Sequence, residues 1–222
     1  MTTTNTRDGQ KLGVDGLTDE LRRAISAGEL APNQRLIEAD LVEHYGVTRS
    51  VVRTALGNLA FEGMVERLQN RGARVRAIDV VEALEIVELR AAIESLCAWH
   101  AATAASDEQI AQLVAIGDRM RVCVDEGDVE AYSECNRALH DLVLEVSGMR
   151  IAPTIVNRLR AQNARFRIRL ARTRNRPRVS FPEHLAIIEA IRDRDPERAR
   201  GAMAVHLRSV EAATREHFVD GD

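Results

Sequence analysis

The stretch that decides the fold is LVEHYGVTRSVVRTAL, residues 41–56. Two short amphipathic segments meet at Gly46, a residue type that permits the tight turn between two helices. Val47 and Val52 follow this turn at a spacing that directs both side chains into the gap between the helices. The pattern predicts a helix-turn-helix.

The second of these helices carries the residues that are suited to contact a nucleic acid. Thr48 is a preferred residue type for capping the helix, and Ser50 follows in the first turn. Arg49 and Arg53 are four residues apart, so they share one outward face. Guanidinium groups on such a face can reach guanine edges and phosphates in the major groove of DNA. We therefore predict that this is the recognition helix.

The flanking segments complete a winged helix-turn-helix over residues 14–78. Apolar residues at helical spacing predict a preceding helix that ends at Gly28. Two alternating runs, 64–68 and 73–77, surround a turn containing Asn70 and Gly72, which predicts a β-hairpin. Residues 1–13 show no periodicity, and we expect a flexible tail there.

Further contacts to the DNA backbone are expected around the second helix and the hairpin. An arginine alone on an exposed surface usually serves solubility. Here arginines recur on the surfaces that a winged helix presents to DNA, where they would bind phosphates. The additional predicted contacts are Arg35, Arg71, Gly72 and Arg74.

Residues 79–222 predict a second, all-helical domain. The apolar period stays helical, with breaks near 105, 127, 148, 175 and 194, which indicates an antiparallel bundle of about six helices. Capping boxes are predicted at 106–109 and 180–183, and Asp195 precedes a proline that suits a first helical turn. The fold class is therefore mostly α.

Composition excludes several classes of protein. No apolar run approaches the roughly 18 residues that span a bilayer, and the polar N-terminus lacks a signal-peptide pattern, so we expect a cytoplasmic protein with no membrane partner. The net charge of −3 argues against a surface that is basic throughout. The three cysteines lie in helical apolar patterns without metal-ligand spacing, and they predict reduced core residues.

Three histidines of the second domain form a candidate metal site. Asn136 and His140 are four apart on one predicted helix, while His184 and His206 lie on the fifth and sixth predicted helices of this domain. Three imidazoles that converge in a bundle core suit a divalent transition metal, first zinc, with nickel as another possibility. Alternatively, each histidine is a hydrogen-bonded core residue, or all of them bind a ligand in a metal-free pocket.

The first domain resembles the GntR family of bacterial regulators. The resemblance covers residues 17–75 and rests on the motifs 29–36, 47–53 and 70–73. It implies a transcription regulator that binds double-stranded operator DNA. Members commonly have proline and glutamate where this chain has Val51 and Thr54, and glycine where it has Asn33. The changes at Val51 and Thr54 leave the DNA arginines in place but alter the expected operator sequence, whereas Asn33 is expected to adopt the same turn conformation as glycine.

The second domain resembles the effector domain of the FadR and VanR branch of that family. The matching stretches are 136–140, 145–148, 183–191 and 195–206. In that branch an acid and three histidines bind a metal beside a small carboxylate effector. The resemblance implies the ligand set Asn136, His140, His184 and His206. Asn136 stands where the branch has aspartate, which removes one compensating charge and weakens the metal ligand.

Three more residues are candidates for contacting the effector. Arg90 occupies a position where the family often has arginine and could bind a carboxylate bidentately, although a salt bridge to Glu94 is nearly as good an interpretation. Gln162 and Arg169 follow a helical stripe and are weaker candidates.

The leading hypothesis is a homodimeric repressor that binds a palindromic operator and is controlled by a small organic acid and a divalent metal. One alternative is a metal-responsive repressor without an organic effector. Another is a metal-dependent hydrolase, which would need a general base near the histidines. Glu183 is adjacent to His184 but is expected to point elsewhere on its helix.

Overall fold

The structure is a computed structural model that describes residues 12–69, 72–171, 173 and 175–218. The chain divides into two compact units, with the boundary between Ile78 and Asp79. The first unit contains α1(Val14–Ala27), β1(Arg35–Leu36), α2(Glu38–Tyr45), α3(Arg49–Phe61), β2(Val65–Leu68) and β3(Gly72–Val75). The second contains α4(Val80–Ala104), α5(Asp107–Glu126), α6(Val129–Val146), α7(Ala152–Gln162), α8(Ala164–Ala171), α9(Arg176–Arg192) and α10(Pro196–Phe218).

The first unit is a winged helix-turn-helix, as the sequence predicts. Gly46 ends α2 in the left-handed conformation with a φ of 63°, and Thr48 caps α3 by accepting a hydrogen bond from the Val51 backbone N–H. Val47 and Val52 are buried between the helices. The predicted turn geometry and helix-helix core are therefore confirmed.

The wing contains one strand that periodicity did not predict. β1 pairs antiparallel with β3, which also pairs with β2, so the order in the sheet is β1-β3-β2. Asn33 lies just before β1 with a φ of 64°, so the asparagine adopts the turn conformation expected of it. A strand of two residues is too short to show an alternating pattern, which is why the sequence did not reveal β1.

The second unit is all-helical, and its helices pack around a single core built from buried apolar residues of α4, α5, α6, α7, α9 and α10. Cys97, Cys123 and Cys135 are buried and free, as predicted. The capping box at Ser106 and Gln109 is confirmed, and Asp195 accepts a hydrogen bond from the Arg198 backbone N–H.

Two details of the second unit differ from the sequence analysis. A break at Asn163 separates α7 from α8, so the described part of this unit has seven helices and places His184 and His206 on the sixth and seventh. Ser180 does not cap a helix, because α9 begins four residues earlier and the Ser180 hydroxyl donates to the Arg176 carbonyl inside it. No helix among the described residues is long and apolar enough to cross a membrane.

Candidate nucleic-acid interface and candidate metal centre

The outward face of α3 presents the predicted DNA-contacting residues to solvent. Thr48, Arg49, Ser50 and Arg53 are exposed. The Arg53 guanidinium lies 3.9 Å from a Glu38 carboxylate oxygen, with 63% of its side chain exposed. Such a long, solvated ion pair holds the side chain weakly, so a phosphate or a guanine edge can compete for it.

The wing residues divide into two groups. Arg35 is exposed on β1 and pairs across the sheet with Arg74, while the Arg74 guanidinium is 2.7 Å from Glu66 on β2. Gly72 is buried with a φ of 84°, and a Cβ atom there would clash with the Leu36 carbonyl. Gly72 therefore permits the close approach of β1 and β3, and its contact with DNA stays a prediction. Arg71 lies outside the described residues.

The three predicted histidines of the second unit come together. The ligand-type atoms of His140, His184 and His206 all lie within 4.8 Å of one another. The ring centroids of His184 and His206 are 4.3 Å apart, and that of His140 is 5.2 and 5.7 Å from those of His206 and His184. All three side chains are buried, which leaves the rings in a polar cluster shielded from bulk water.

Each histidine is oriented by an oxygen atom at Nδ1. His140 Nδ1 is 2.6 Å from Glu94 Oε2, and His206 Nδ1 is 2.9 Å from Glu183 Oε2. Because a carboxylate can only accept, both rings donate from Nδ1 and keep a lone pair on Nε2. This corrects the expectation that Glu183 points away from the site: it orients His206.

The third histidine is oriented by a chain of hydroxyl groups. The Ser180 hydroxyl donates to the Arg176 carbonyl at 3.0 Å and so accepts from the Tyr132 hydroxyl, 2.9 Å away. Tyr132 has then used its proton, so its oxygen accepts from Nδ1 of His184 at 2.9 Å. Nε2 of His184 is therefore also a lone-pair donor, as a metal ligand requires.

Burial keeps these rings neutral. It lowers the pKa of His140 to about 4, although the neighbouring Glu94 opposes this shift. Burial likewise lowers the pKa of His184 and of His206 from the usual value. Neutral imidazole is the form that coordinates metals, so the site is in its binding form at neutral pH.

Two buried atoms at this site lack a partner. Neither His184 Nε2 nor Asn136 Oδ1 has a hydrogen-bond partner among the described residues. An unsatisfied buried lone pair is costly, and a cation would satisfy both atoms. The donor set of three neutral imidazoles and one amide oxygen therefore fits a divalent transition metal.

A cavity of about 150 Å³ opens beside the histidines. Of the predicted effector-contacting residues, Arg90 lines it, while its Nε also donates to Glu94 Oε1 at 2.8 Å. Gln162 and Arg169 are not among the described residues that line it. Gln162 is the last residue of α7, and the exposed Arg169 guanidinium stacks on the Phe218 ring, 4.7 Å from its centroid. The structure therefore offers no support for either residue as an effector contact.

Sequence reasoning missed several residues of this site. They are Glu94, Tyr132, Arg137, Arg160, Arg167, Arg176, Ser180 and Glu183. A four-residue spacing could have revealed some of them, because Tyr132 precedes Asn136 by four residues on α6, and Arg176, Ser180 and His184 follow one another at this interval on α9. Polar residues repeated on an otherwise buried helix face are the signal.

Both units of the chain match known protein families. Residues 14–75 match the family described as bacterial regulatory proteins, gntR family, and residues 85–209 match the FCD domain. The HTH-type transcriptional repressor RspR of Escherichia coli is 26% identical over 88% of this chain and 86% of its own length. The HTH-type transcriptional repressor NanR of Klebsiella aerogenes is 30% identical over 89% of this chain and 83% of its own.

A solved structure shows the same fold. The structure of E. coli McbR/YncC superposes with a TM-score of 0.78 at 21% identity, and the alignment covers 92% of this chain and 98% of that one. The two family matches cover α3 with its exposed arginines and the helices that carry the three histidines. The chain belongs to the gntR family of bacterial regulatory proteins, with a C-terminal FCD domain, and is a DNA-binding transcription regulator.

Proposed function

We propose that this regulator is a homodimeric repressor of a palindromic operator, and that a divalent metal and a small organic acid in the helical unit control its affinity for DNA. The observation that carries this proposal is the buried cluster of three histidines with Nε2 lone pairs, together with the unpartnered oxygen of Asn136. The names of its relatives RspR and NanR support repression.

On the DNA side, two copies of α3 would occupy successive major grooves, as palindromic operators require. Arg49 and Arg53 would contact bases or phosphates from the exposed face, while Arg35 and Arg74 would hold the backbone. Arg74 would exchange its contact with Glu66 for a phosphate. Size measurement by light scattering, alone and on operator DNA, tests the dimer.

In the helical unit, His140, His184, His206 and Asn136 would hold the metal, for which zinc is the first candidate and nickel another. When bound, the ion supplies a fixed positive charge and open coordination positions for an acidic ligand. Glu94, Glu183 and Tyr132 keep the three imidazoles oriented, and arginines around the cavity attract the acid. Differential binding of the acid to two states of the dimer would change DNA affinity by about 5 to 150-fold.

The assignment of α3 is tested by operator binding at fixed salt concentration. The double variant Arg49→Ala and Arg53→Ala should weaken specific binding about 30-fold or more, because a good base contact contributes about 1–3 kcal/mol. The control is Arg23→Ala, an exposed arginine on α1 whose ion pairs with Glu20 and Glu29 are solvated. Unchanged operator affinity in the double variant would refute the assignment.

The control of DNA affinity is tested by titrating operator binding with zinc, a chelator and a panel of organic acids. We expect the acids to change DNA affinity in the metal-loaded protein. If chelation alone switches binding and no acid has an effect, the protein is a metal-responsive repressor instead.

A hydrolase is the least supported alternative. Glu183, the nearest candidate general base, is engaged with His206 at 2.9 Å and with Arg176 at 3.8 Å. It therefore acts as an orienting group. Hydrolytic turnover by the wild type that is lost in Glu183→Gln would support the hydrolase instead.

A further inference from the structure

The cavity beside the histidines has an unusual distribution of charge. Five arginines line it, and no carboxylate is among the lining residues that the structure describes. Apart from these arginines, the histidines, Asn136 and the hydroxyl-bearing residues, its wall is apolar and includes Ile168, Leu170 and Val210. Asn136, where an acid would have placed a negative charge, is neutral. A ligand in this cavity therefore meets positive charge without a compensating group on the wall. The five arginines are Arg90, Arg137, Arg160, Arg167 and Arg176.

Three carboxylates contact these arginines from outside the cavity. Glu94 binds both Arg90 and Arg160 at 2.8 and 2.9 Å. Asp141 lies 2.5 Å from Arg160, and Glu183 lies 3.8 Å from Arg176. Five positive charges are thus matched by three negative ones, which leaves a surplus of two before any metal is bound.

Arg167 on α8 carries a large part of this surplus. It is only partly exposed and forms no salt bridge with any described residue. Its Nη1 donates a long hydrogen bond, 3.4 Å, to the Arg160 carbonyl. Burial, reinforced by repulsion from Arg90 and Arg160, lowers the pKa of Arg167 to about 9. Keeping a guanidinium charged in such surroundings costs free energy, and an anion beside it would offset that cost.

We infer that the ligand of this cavity is a small dicarboxylate, with one carboxylate at the three histidines and Asn136 and the second at Arg167. This inference rests on the proposed function and adds the charge of the effector to it. The second carboxylate matches the unpaired charge of Arg167, and the first would lie beside the cation that the histidines would hold. The two carboxylates would contact different helices: the histidines lie on α6, α9 and α10, and Arg167 lies on α8.

The size of the cavity limits the length of this ligand. A cavity of about 150 Å³ holds a molecule about as large as benzene. Malonate and succinate are close to this size. Their monoamides, malonamate and succinamate, have the same shape but only one negative charge, so each pair isolates the second carboxylate.

The experiment measures binding of these four probes, and of inorganic phosphate, by calorimetry to the full-length protein loaded with zinc, in the absence of DNA. A charged hydrogen bond between the second carboxylate and Arg167 should make the better dicarboxylate bind about 10 to 100-fold more tightly than its monoamide. In Arg167→Gln this ratio should fall to about one. Arg169→Gln, an exposed arginine on the same helix that does not line the cavity, should keep the ratio of the wild type.

Arg167→Gln should remain folded, because it removes an uncompensated charge, and the melting temperature of the ligand-free variant should equal or exceed that of the wild type. Equal affinity for a dicarboxylate and its monoamide in the wild type would overturn the inference while leaving an acidic effector in place. An unchanged ratio in Arg167→Gln would also overturn it, as would tighter binding of inorganic phosphate than of either dicarboxylate. Failure of all probes to bind would overturn it together with the proposed acidic effector.

Discussion

Glu94 is the carboxylate on which the candidate metal centre depends most, and Glu94→Gln tests this directly. Its side chain is 1% exposed and contacts Arg90, Arg160 and His140. Burial opposes ionisation, but these neighbours outweigh it and hold the pKa of Glu94 well below its usual range. Glutamine keeps the volume of the side chain and one oxygen acceptor while removing the charge.

The expected loss of stability follows from the positive charges that Glu94→Gln leaves without a partner. Removing one partner of a buried ion pair costs about 3–5 kcal/mol, since the remaining charge stays desolvated and unmatched. In a unit of this size about 1 kcal/mol changes the melting temperature by roughly 2–4 °C. Glu94→Gln should therefore lower the melting temperature of the helical unit by about 6–20 °C.

Differential scanning calorimetry with a chelator present measures this change without any contribution from a bound metal. The control is Glu189→Gln, in which a half-exposed carboxylate 3.4 Å from Arg198 is neutralised. A solvated pair of this kind contributes at most about 1 kcal/mol. If Glu94→Gln lowers the melting temperature no more than Glu189→Gln does, the view of Glu94 as the compensating charge of this site is refuted.

Three further predictions concern orientation, capping and pH. Tyr132→Phe removes the acceptor of His184 Nδ1 and should weaken zinc binding about 10 to 100-fold in a competition assay with a chelator; unchanged zinc affinity would contradict the hydroxyl chain. Because the buried Nδ1–H is left without an acceptor, the metal-free protein should also lose about 1–3 kcal/mol of stability. Thr48→Ala removes the cap of α3 and should destabilise the winged unit by about 1 kcal/mol in urea unfolding, whereas Thr48→Ser should preserve its stability. Burial lowers the pKa of His140 to about 4, so the unfolded chain protonates this histidine at a higher pH than the folded protein does. The metal-free helical unit should therefore lose stability as the pH falls from about 6.5 towards 4, and a stability that does not change over this pH range would contradict the prediction.

The DNA-binding unit could be predicted almost completely from the sequence. Its helices end at glycines that adopt left-handed conformations, Gly28 and Gly46, and its recognition helix begins at a capping threonine. These are local signals, carried by neighbouring residues in the chain. What the sequence did not show is β1, whose existence depends on pairing with β3 across about 37 intervening residues.

The candidate metal centre was predicted in part. The three histidines and Asn136 could be selected by their positions on apolar helix faces, but nothing in their spacing requires the helices to meet. The orienting partners could not be assigned at all, because Glu94 is 46 residues from His140 and Tyr132 is 52 from His184. Glu183 is the clearest example of a partner that the sequence does not reveal. It is adjacent to His184 in sequence, yet it accepts a hydrogen bond from His206 on another helix.

The sequence by itself determined the order of helices and hairpin, the caps, the exposed arginines of α3 and the identity of the histidines, because these depend on residue type and on periods of a few residues. Only the tertiary structure decided that the three imidazoles converge, that Nε2 of each is free for a metal, and that Arg167 lacks a matching carboxylate among the described residues. Those properties depend on which faces of distant helices pack together. A helical period indicates which residues share a face of one helix, but it does not indicate which other helix will pack against that face.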